Sequence, residues 1–167
     1  MADRFDVVIV GAGPAGIACA RALAGSSLSV LLVEKNAAIG PKICAGGLTR
    51  VAVDFGIPEE QARTFHAQTV HLDEQAPLKI VLNHPLKTVS RTALARHHLQ
   101  EIEMAANIEV ATGTKVAGLT DSSIATDRGD FFFRFLVAAD GSRSVVRRHV
   151  GLPSKFGIGL YYEAPQR

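Results

Sequence analysis

The chain is short of several features that would assign it to whole classes of protein. It has only two cysteines in 167 residues, too few for a disulfide framework. Its formal net charge is +2, so charge alone indicates no nucleic-acid partner. No apolar run is long enough to cross a membrane, and the N-terminus lacks the hydrophobic region of a signal peptide. We therefore expect a cytoplasmic protein, with peripheral membrane contact left open.

Two kinds of chemical site are also missing from the sequence. The six histidines are scattered, and the adjacent His97 and His98 lack the spacing of a metal-binding pair. No serine, histidine and aspartate occur in an order and context typical of a catalytic triad. We therefore expect neither a metal site nor a triad. The apolar content of 47% and charged content of 20% are ordinary for a globular domain of this length.

What the chain does contain is a glycine-rich turn in an informative context. Gly11, Gly13 and Gly16 form a GxGxxG pattern that follows a β-branched apolar run and precedes a stretch of small residues. A second apolar run then ends at the acidic residue Glu34. This order of strand, tight turn, helix, strand and acid is the fingerprint of dinucleotide binding.

Each residue of the fingerprint has a physical reason to be there. Gly11 permits the sharp turn, Gly13 lets the backbone approach a pyrophosphate, and Gly16 lets the helix pack closely on the sheet. The start of the helix offers N–H groups and a partial positive charge to phosphates. Glu34 can accept hydrogen bonds from ribose hydroxyls and would repel a 2′-phosphate. The fingerprint therefore predicts FAD or NAD rather than NADP.

The remaining pattern predicts an α/β fold, Rossmann-like, with a partly parallel central sheet and a small β-meander. Strands are predicted at about 5–10, 29–34, 68–72, 78–82, 108–111, 115–119, 122–126, 131–135 and 136–139. Helices are predicted at about 14–25, 48–55, 91–105 and 143–149, with Ser90 as the N-cap of the third. Its apolar face is predicted to comprise Ala95, Leu99, Ile102 and Ala106.

Three further segments carry a resemblance to a known family. They are the run Cys44-Ala45-Gly46-Gly47-Leu48, the pair Ser90-Arg91, and the segment 139–148 that begins Ala-Asp-Gly-Ser-Arg. Together with the fingerprint they resemble FAD-dependent oxidoreductases of the geranylgeranyl reductase family, which share the fold of flavoprotein aromatic hydroxylases. The Cys-x-Gly-Gly-Leu element favours the reductase branch.

The resemblance implies a cofactor, a substrate class and a set of site residues. The cofactor is FAD, with NAD(P)H open as electron donor, and the reaction is reduction of C=C bonds in a prenyl-type small molecule or lipid. Cys44, beside the flavin, is the one candidate catalytic residue. The implied cofactor-binding residues are Gly11, Gly13, Pro14, Ala15, Gly16, Glu34, Lys35, Cys44, Ala45, Gly46, Arg91, Asp140, Gly141 and Arg143.

The resemblance also implies a domain organisation. Residues 1–155 would form the FAD-binding domain, with an insertion at about 41–90, and residues 156–167 would begin a strand of a substrate domain. The rest of that domain is absent, so we expect a truncated form whose uncovered sheet surface allows self-association. A non-catalytic nucleotide-binding fragment and a relative of the aromatic hydroxylases stay open as alternatives.

Several site residues also have a plain structural alternative. Arg91 is equally suited to a solvated first turn of a helix. Asp140 and Gly141 fit an ordinary strand-to-helix turn, with Ser142 or Ser144 as the cap. Cys44 fits an inert buried thiol, although its glycine-rich loop favours close approach to a ligand.

Overall fold

The computed structural model describes residues 3–41, 44, 46–48, 57, 59–71 and 75–153. The chain divides into two compact units, the first comprising Met1–Pro41 and Ala95–Arg167, and the second comprising Lys42–Leu94. The strand predicted within 156–167 lies outside the described residues. So does the helix predicted near 48–55, apart from Leu48, which belongs to a strand.

The first unit is built on a six-stranded sheet with helices on it. Its strands are β1 (Asp3–Val10), β2 (Val30–Val33), β6 (Ile108–Ala111), β7 (Val116–Leu119), β8 (Ser123–Thr126) and β9 (Gly129–Ala138). The helices are α1 (Pro14–Leu23), the greater part of α2 (Arg91–Glu103) and α3 (Val145–His149). The strand order is β6-β2-β1-β9-β8-β7.

The sheet is parallel in one half and antiparallel in the other. Strands β6, β2, β1 and β9 pair in parallel, whereas β9, β8 and β7 pair antiparallel as a meander. The predicted fold class, α/β with a partly parallel central sheet and a small meander, is therefore confirmed.

One difference from the prediction concerns residues 131–138, which lie in one strand rather than two. Strand β9 pairs with β8 over its first residues and with β1 along nearly its whole length. Because no turn-forming residue separates Phe135 from Leu136, the apolar run continues through the predicted break. The other differences in this unit are shifts of a few residues at element ends.

The core of the first unit lies on both faces of the central strands. Val7–Val10 and Val30–Val33 are all 5% exposed or less. On one face they pack with Ile17 of α1 and Ile102 of α2, and on the other with Ile124 and other residues of the meander and α3. Burial on both faces explains why these strands are near-continuous β-branched and leucine runs.

Helix α2 buries only part of the predicted apolar face. It begins after Ser90, whose carbonyl accepts the Leu94 N–H at 2.9 Å. Ala95 and Ile102 are buried as predicted, and His98 is buried beside them at 5% exposure. Leu99 is only half-buried, and Ala106 is exposed because the helix ends at Glu103.

The second unit contains the three-stranded antiparallel sheet β3-β5-β4. Its strands are β3 (Gly47–Leu48), β4 (Ala62–Val70) and β5 (Leu78–Val89), with a short 3-10 turn at Glu59–Gln61. The two strands β4 and β5 are longer than those predicted at 68–72 and 78–82, and their pairing jumps from Phe65↔Leu86 to Ala67↔Val81. Pro85 lies in the unpaired stretch and has no N–H to donate to a ladder.

No helix in the described part of the chain has both the length and the apolar character needed to cross a membrane.

Candidate functional site

The glycine turn follows β1 and is built so that two of its glycines cannot be replaced. Gly11 has a φ of +101°, and a Cβ placed there would lie 2.5 Å from the Ala139 carbonyl oxygen. A Cβ on Gly16 would lie 1.8 Å from the carbonyl oxygen of Gly11. The turn, the start of α1 and the end of β9 are therefore in backbone contact that only glycine allows.

Gly13 is a glycine of a different kind. It is the N-cap of α1, with an ordinary φ of −74°, and no heavy atom lies within 4 Å of a Cβ built there. Pro14 and Ala15 follow in the first turn, and no side chain caps this end of the helix. Open space beside an uncapped helix N-terminus is the arrangement that binds phosphate groups.

Glu34 connects the glycine turn to the loop that follows β2. Its Oε2 accepts the Ala12 N–H at 3.0 Å, and its Oε1 accepts the Asn36 N–H at 2.9 Å. A carboxylate has about four lone-pair positions, so acceptor capacity is left for ribose hydroxyls. Glu34 therefore supports the turn as well as being the predicted ribose acceptor, and the fingerprint alone does not reveal this second role.

A cavity of about 160 Å³ lies at the carboxyl ends of β1 and β2. It brings together five of the predicted site residues, Gly11, Glu34, Lys35, Asp140 and Arg143. The remaining lining residues are Val10, Val33, Thr114, Lys115, Val116 and Val145. Ligands of open α/β sheets bind at this edge.

Thr114 and Lys115 reach the cavity from the loop between β6 and β7. The Thr114 N–H donates to the Glu34 carbonyl at 2.8 Å, and the Gly113 N–H donates to the Asn36 carbonyl at 2.9 Å. These contacts follow from the parallel pairing of β6 with β2. Sequence reasoning missed both lining residues, because no local pattern gives that pairing.

Asp140 and Gly141 form the turn between β9 and α3. Asp140 Oδ2 accepts the Val145 N–H at 2.6 Å, and Ser144 Oγ accepts the Arg147 N–H at 2.8 Å, so capping by Ser144 is present as well. Asp140 Oδ1 is buried and has no hydrogen-bond partner in the described part of the chain. A buried acceptor without a donor is costly and rare in folded proteins, and it suits a donor supplied by a ligand.

Three of the predicted site residues in the second unit, Cys44, Gly46 and Arg91, are described by their surroundings within that unit. Cys44 is exposed, and its Sγ accepts the Gly46 N–H at 3.4 Å. Gly46 has a φ of +71°, and a Cβ there would lie 2.5 Å from the Val89 carbonyl oxygen. Arg91 is half-buried, and its Nε has no hydrogen-bond partner among the residues described. Ala45 lies outside the described residues, and the roles of all four stay predictions.

The first unit fits the adenosine diphosphate part of FAD on three independent features. These are the open space beside Gly13, the carboxylate of Glu34 at the end of β2, and the unpartnered oxygen of Asp140. Glu34 and Asp140 line the same cavity. Positive charge around this cavity comes from Lys35, Lys115 and Arg143. The residues present are therefore suited to an anionic dinucleotide.

Comparison with known proteins places this geometry in a family. The family model described as FAD dependent oxidoreductase matches residues 6–130. A digeranylgeranylglycerophospholipid reductase of Methanocella arvoryzae is 30% identical over 91% of this chain and 43% of its own length. An uncharacterised protein of Methanosarcina barkeri is 32% identical over 97% of this chain and 44% of its own length. The chain thus spans less than half the length of these curated relatives.

Solved structures agree with the fold. A probable FAD-dependent monooxygenase of Pseudomonas aeruginosa, pqsL, has a TM-score of 0.75 at 22% identity, over 92% of this chain and 47% of that one. A geranylgeranyl bacteriochlorophyll reductase-like protein of Thermoplasma acidophilum has a TM-score of 0.69 at 22% identity, over 85% and 40%. The resemblance drawn from the motifs is confirmed.

Proposed function

Since this chain belongs to the family of FAD-dependent oxidoreductases, we propose that it binds FAD and reduces C=C bonds in prenyl lipids. The observation that carries the cofactor assignment is the pairing of an open, uncapped helix N-terminus at Gly13 with the carboxylate of Glu34. The substrate class is supported by the similarity to proteins named as digeranylgeranylglycerophospholipid reductases. We therefore propose a prenylated glycerophospholipid as substrate.

The residues of the first unit have separate tasks in this proposal. The N-terminus of α1 holds the pyrophosphate, and Glu34 accepts hydrogen bonds from the adenosine ribose. Asp140 Oδ1 accepts from a hydroxyl of the bound cofactor, while Oδ2 keeps α3 in place. Lys35, Lys115 and Arg143 offset the charge of the phosphates.

The residues of the second unit are assigned to the ring side of the cofactor. FAD when bound supplies hydride transfer, and the protein contributes orientation and electrostatics. We propose that Cys44, Ala45 and Gly46 line the isoalloxazine ring and that Arg91 holds a phosphate. NAD(P)H is proposed as the electron donor. An exposed thiol at Cys44 and an Arg91 Nε without a partner in the described residues support these roles.

A binding experiment tests the cofactor assignment first. We expect the chain to quench FAD fluorescence on titration, and Glu34→Arg to weaken binding by at least about 1–2 kcal/mol through loss of charged hydrogen bonds. Gly13→Val should abolish binding but leave the melting temperature close to that of the parent chain, because its side chain meets open space. FAD binding that is unchanged in both variants would refute the assignment.

A turnover experiment tests the substrate class. The chain is incubated with FAD, a chemical reductant and digeranylgeranylglycerophospholipid, and the lipid is analysed by mass spectrometry. The proposal predicts the gain of two hydrogens for each C=C bond reduced. Incorporation of oxygen into an aromatic substrate would favour the hydroxylase alternative. FAD binding without turnover would favour a nucleotide-binding module that needs the remainder of its relatives' length.

A further inference from the structure

A cluster of potential metal ligands lies on α2, among side chains that the cofactor proposal does not use. His97, His98 and Glu101 each offer one ligand atom, and these atoms all lie within 4.8 Å of one another. Residues three and four positions apart are neighbours on a helix surface, so Glu101 lies next to both histidines. The two adjacent histidines lack the spacing of a metal-binding pair by themselves, and the third candidate ligand is a carboxylate.

The residue types and distances suit a transition-metal ion. Imidazole nitrogen and carboxylate oxygen are ordinary ligands of Zn²⁺, at about 2.0–2.2 Å from the metal. Ligand atoms in such a tetrahedral site are roughly 3.4 Å apart. The three ligand atoms would therefore have to move closer, from a spacing within 4.8 Å to that of a bound site.

His98 is the buried member of the group. Its side chain is only 5% exposed, whereas His97 is half-buried and Glu101 is exposed. One ring nitrogen is sufficient for the metal, because metal-bound histidines usually donate from the other to a protein acceptor.

Arg21 of α1 both helps and limits the site. Its Nε donates to Glu101 Oε2 at 2.6 Å, which fixes the carboxylate and leaves Oε1 for another partner. Its positive charge, however, opposes a second cation close by. We therefore expect an affinity in the micromolar rather than the nanomolar range.

We propose that His97, His98 and Glu101 form a binding site for a divalent transition-metal ion such as Zn²⁺, with the remaining coordination position open to water or an external ligand. All three ligands come from the part of α2 that belongs to the first unit, and none of them lines the cavity that holds Glu34 and Asp140.

Isothermal titration of the full chain with Zn²⁺, after purification without a histidine tag, tests the proposal. We expect one ion per chain, and His97→Ala and Glu101→Gln should each weaken binding at least about tenfold. His66→Ala removes an exposed imidazole from β4 and serves as the matched control. Cys44→Ser is the second control, since a thiol is also a zinc ligand. Both controls should bind as the parent chain does.

A failure to bind Zn²⁺ is meaningful only if the variants are folded. Circular dichroism and melting temperature without metal establish that His97→Ala and Glu101→Gln stay folded, which we expect because neither side chain is buried. Absence of saturable Zn²⁺ binding by the parent chain would overturn the proposal. So would an affinity in His97→Ala and Glu101→Gln equal to that of the parent chain, or loss of binding in Cys44→Ser.

Discussion

The two units of this chain bury their strands to very different degrees. In the first unit the central residues of β1 and β2 are almost fully buried. In the second unit β5 leaves Leu78 at 56% and Val81 at 74% exposed, and β4 leaves Phe65 at 43%. A parallel strand covered on both faces is held by packing as well as by its hydrogen-bond ladder, whereas a long hairpin with exposed apolar side chains depends more on its ladder.

This contrast determines how the two groups of site residues can be tested. Gly11, Gly16 and Glu34 are fixed by a packed core and by backbone contacts within the same unit, so a substitution there has a defined local cost. Cys44 and Arg91 belong to the unit with the open hairpin. Their proposed roles concern ligand chemistry rather than packing, and they are tested best by reactivity and binding.

The largest effect should come from the glycine that contacts backbone. Gly16→Ala would place a Cβ 1.8 Å from the Gly11 carbonyl oxygen, and backbone cannot move aside cheaply. We expect a loss of at least about 3 kcal/mol in the free energy of unfolding, measured with urea. Gly118→Ala in β7 is the matched control, because its Cβ would meet only Ala125 Cβ at 3.7 Å. Equal stability of the two variants would mean that α1 does not pack as described.

A smaller loss is expected at Asn107, which joins the end of α1 to the start of β2. Its Nδ2 donates to the carbonyls of Leu23 and Leu28 at 3.0 and 2.9 Å, and its Oδ1 accepts the Gly25 N–H at 3.0 Å. Asn107→Ala should cost about 2 kcal/mol of unfolding free energy, since three polar groups lose their partner. Asn83→Ala, on the exposed surface of β5, should change stability little.

The sequence predicted the parallel half of the fold well, because its signals are local. Runs such as Val7–Val10 and Val30–Val33 are apolar and rich in β-branched residues, so their strands were placed within a few residues. The hairpin β4–β5 was predicted too short, because its polar residues and Pro85 hide the ladder. Pairing over that distance depends on a partner strand, which a single window of sequence does not contain.

The residues of the candidate site likewise divide into those that a local sequence pattern predicted and those that depend on the folded structure. The glycine turn and Glu34 are adjacent to elements with clear local patterns, so their positions followed from spacing. Lys115 and Thr114 line the same cavity only because β6 pairs with β2, and the hydrogen bonds of Glu34 to Ala12 and Asn36 depend on folded geometry. Glu101, the carboxylate of the proposed metal site, belongs to no sequence motif and lies beside the two histidines through the helical geometry of α2.

The two cysteines offer a test of the contrast by reactivity. Cys44 is exposed, whereas Cys19 lies on α1 and packs against the core of the first unit. Thiol labelling followed by mass spectrometry should modify Cys44 at least about tenfold faster than Cys19, because access limits the reaction. FAD should slow the labelling of Cys44 if that residue lines the ring. Equal rates for the two thiols would contradict the packing of α1.

The smallest effect concerns a surface carboxylate of the first unit. The Ser29 N–H and Oγ both donate to Asp6 Oδ2 at 2.9 Å, and these hydrogen bonds, the backbone one foremost, hold the pKa of Asp6 below its usual value of 3.8. The folded state therefore favours the carboxylate, so this contribution is present above pH 3.8 and is lost as the pH falls below it. Asp6→Asn should be less stable than the parent chain at neutral pH, and this difference should shrink in acid. Urea unfolding at several pH values measures the difference, with exposed Asp121→Asn as the control. A difference between parent and Asp6→Asn that stays constant down to the acid limit would show that the Ser29 contacts do not favour the charged form.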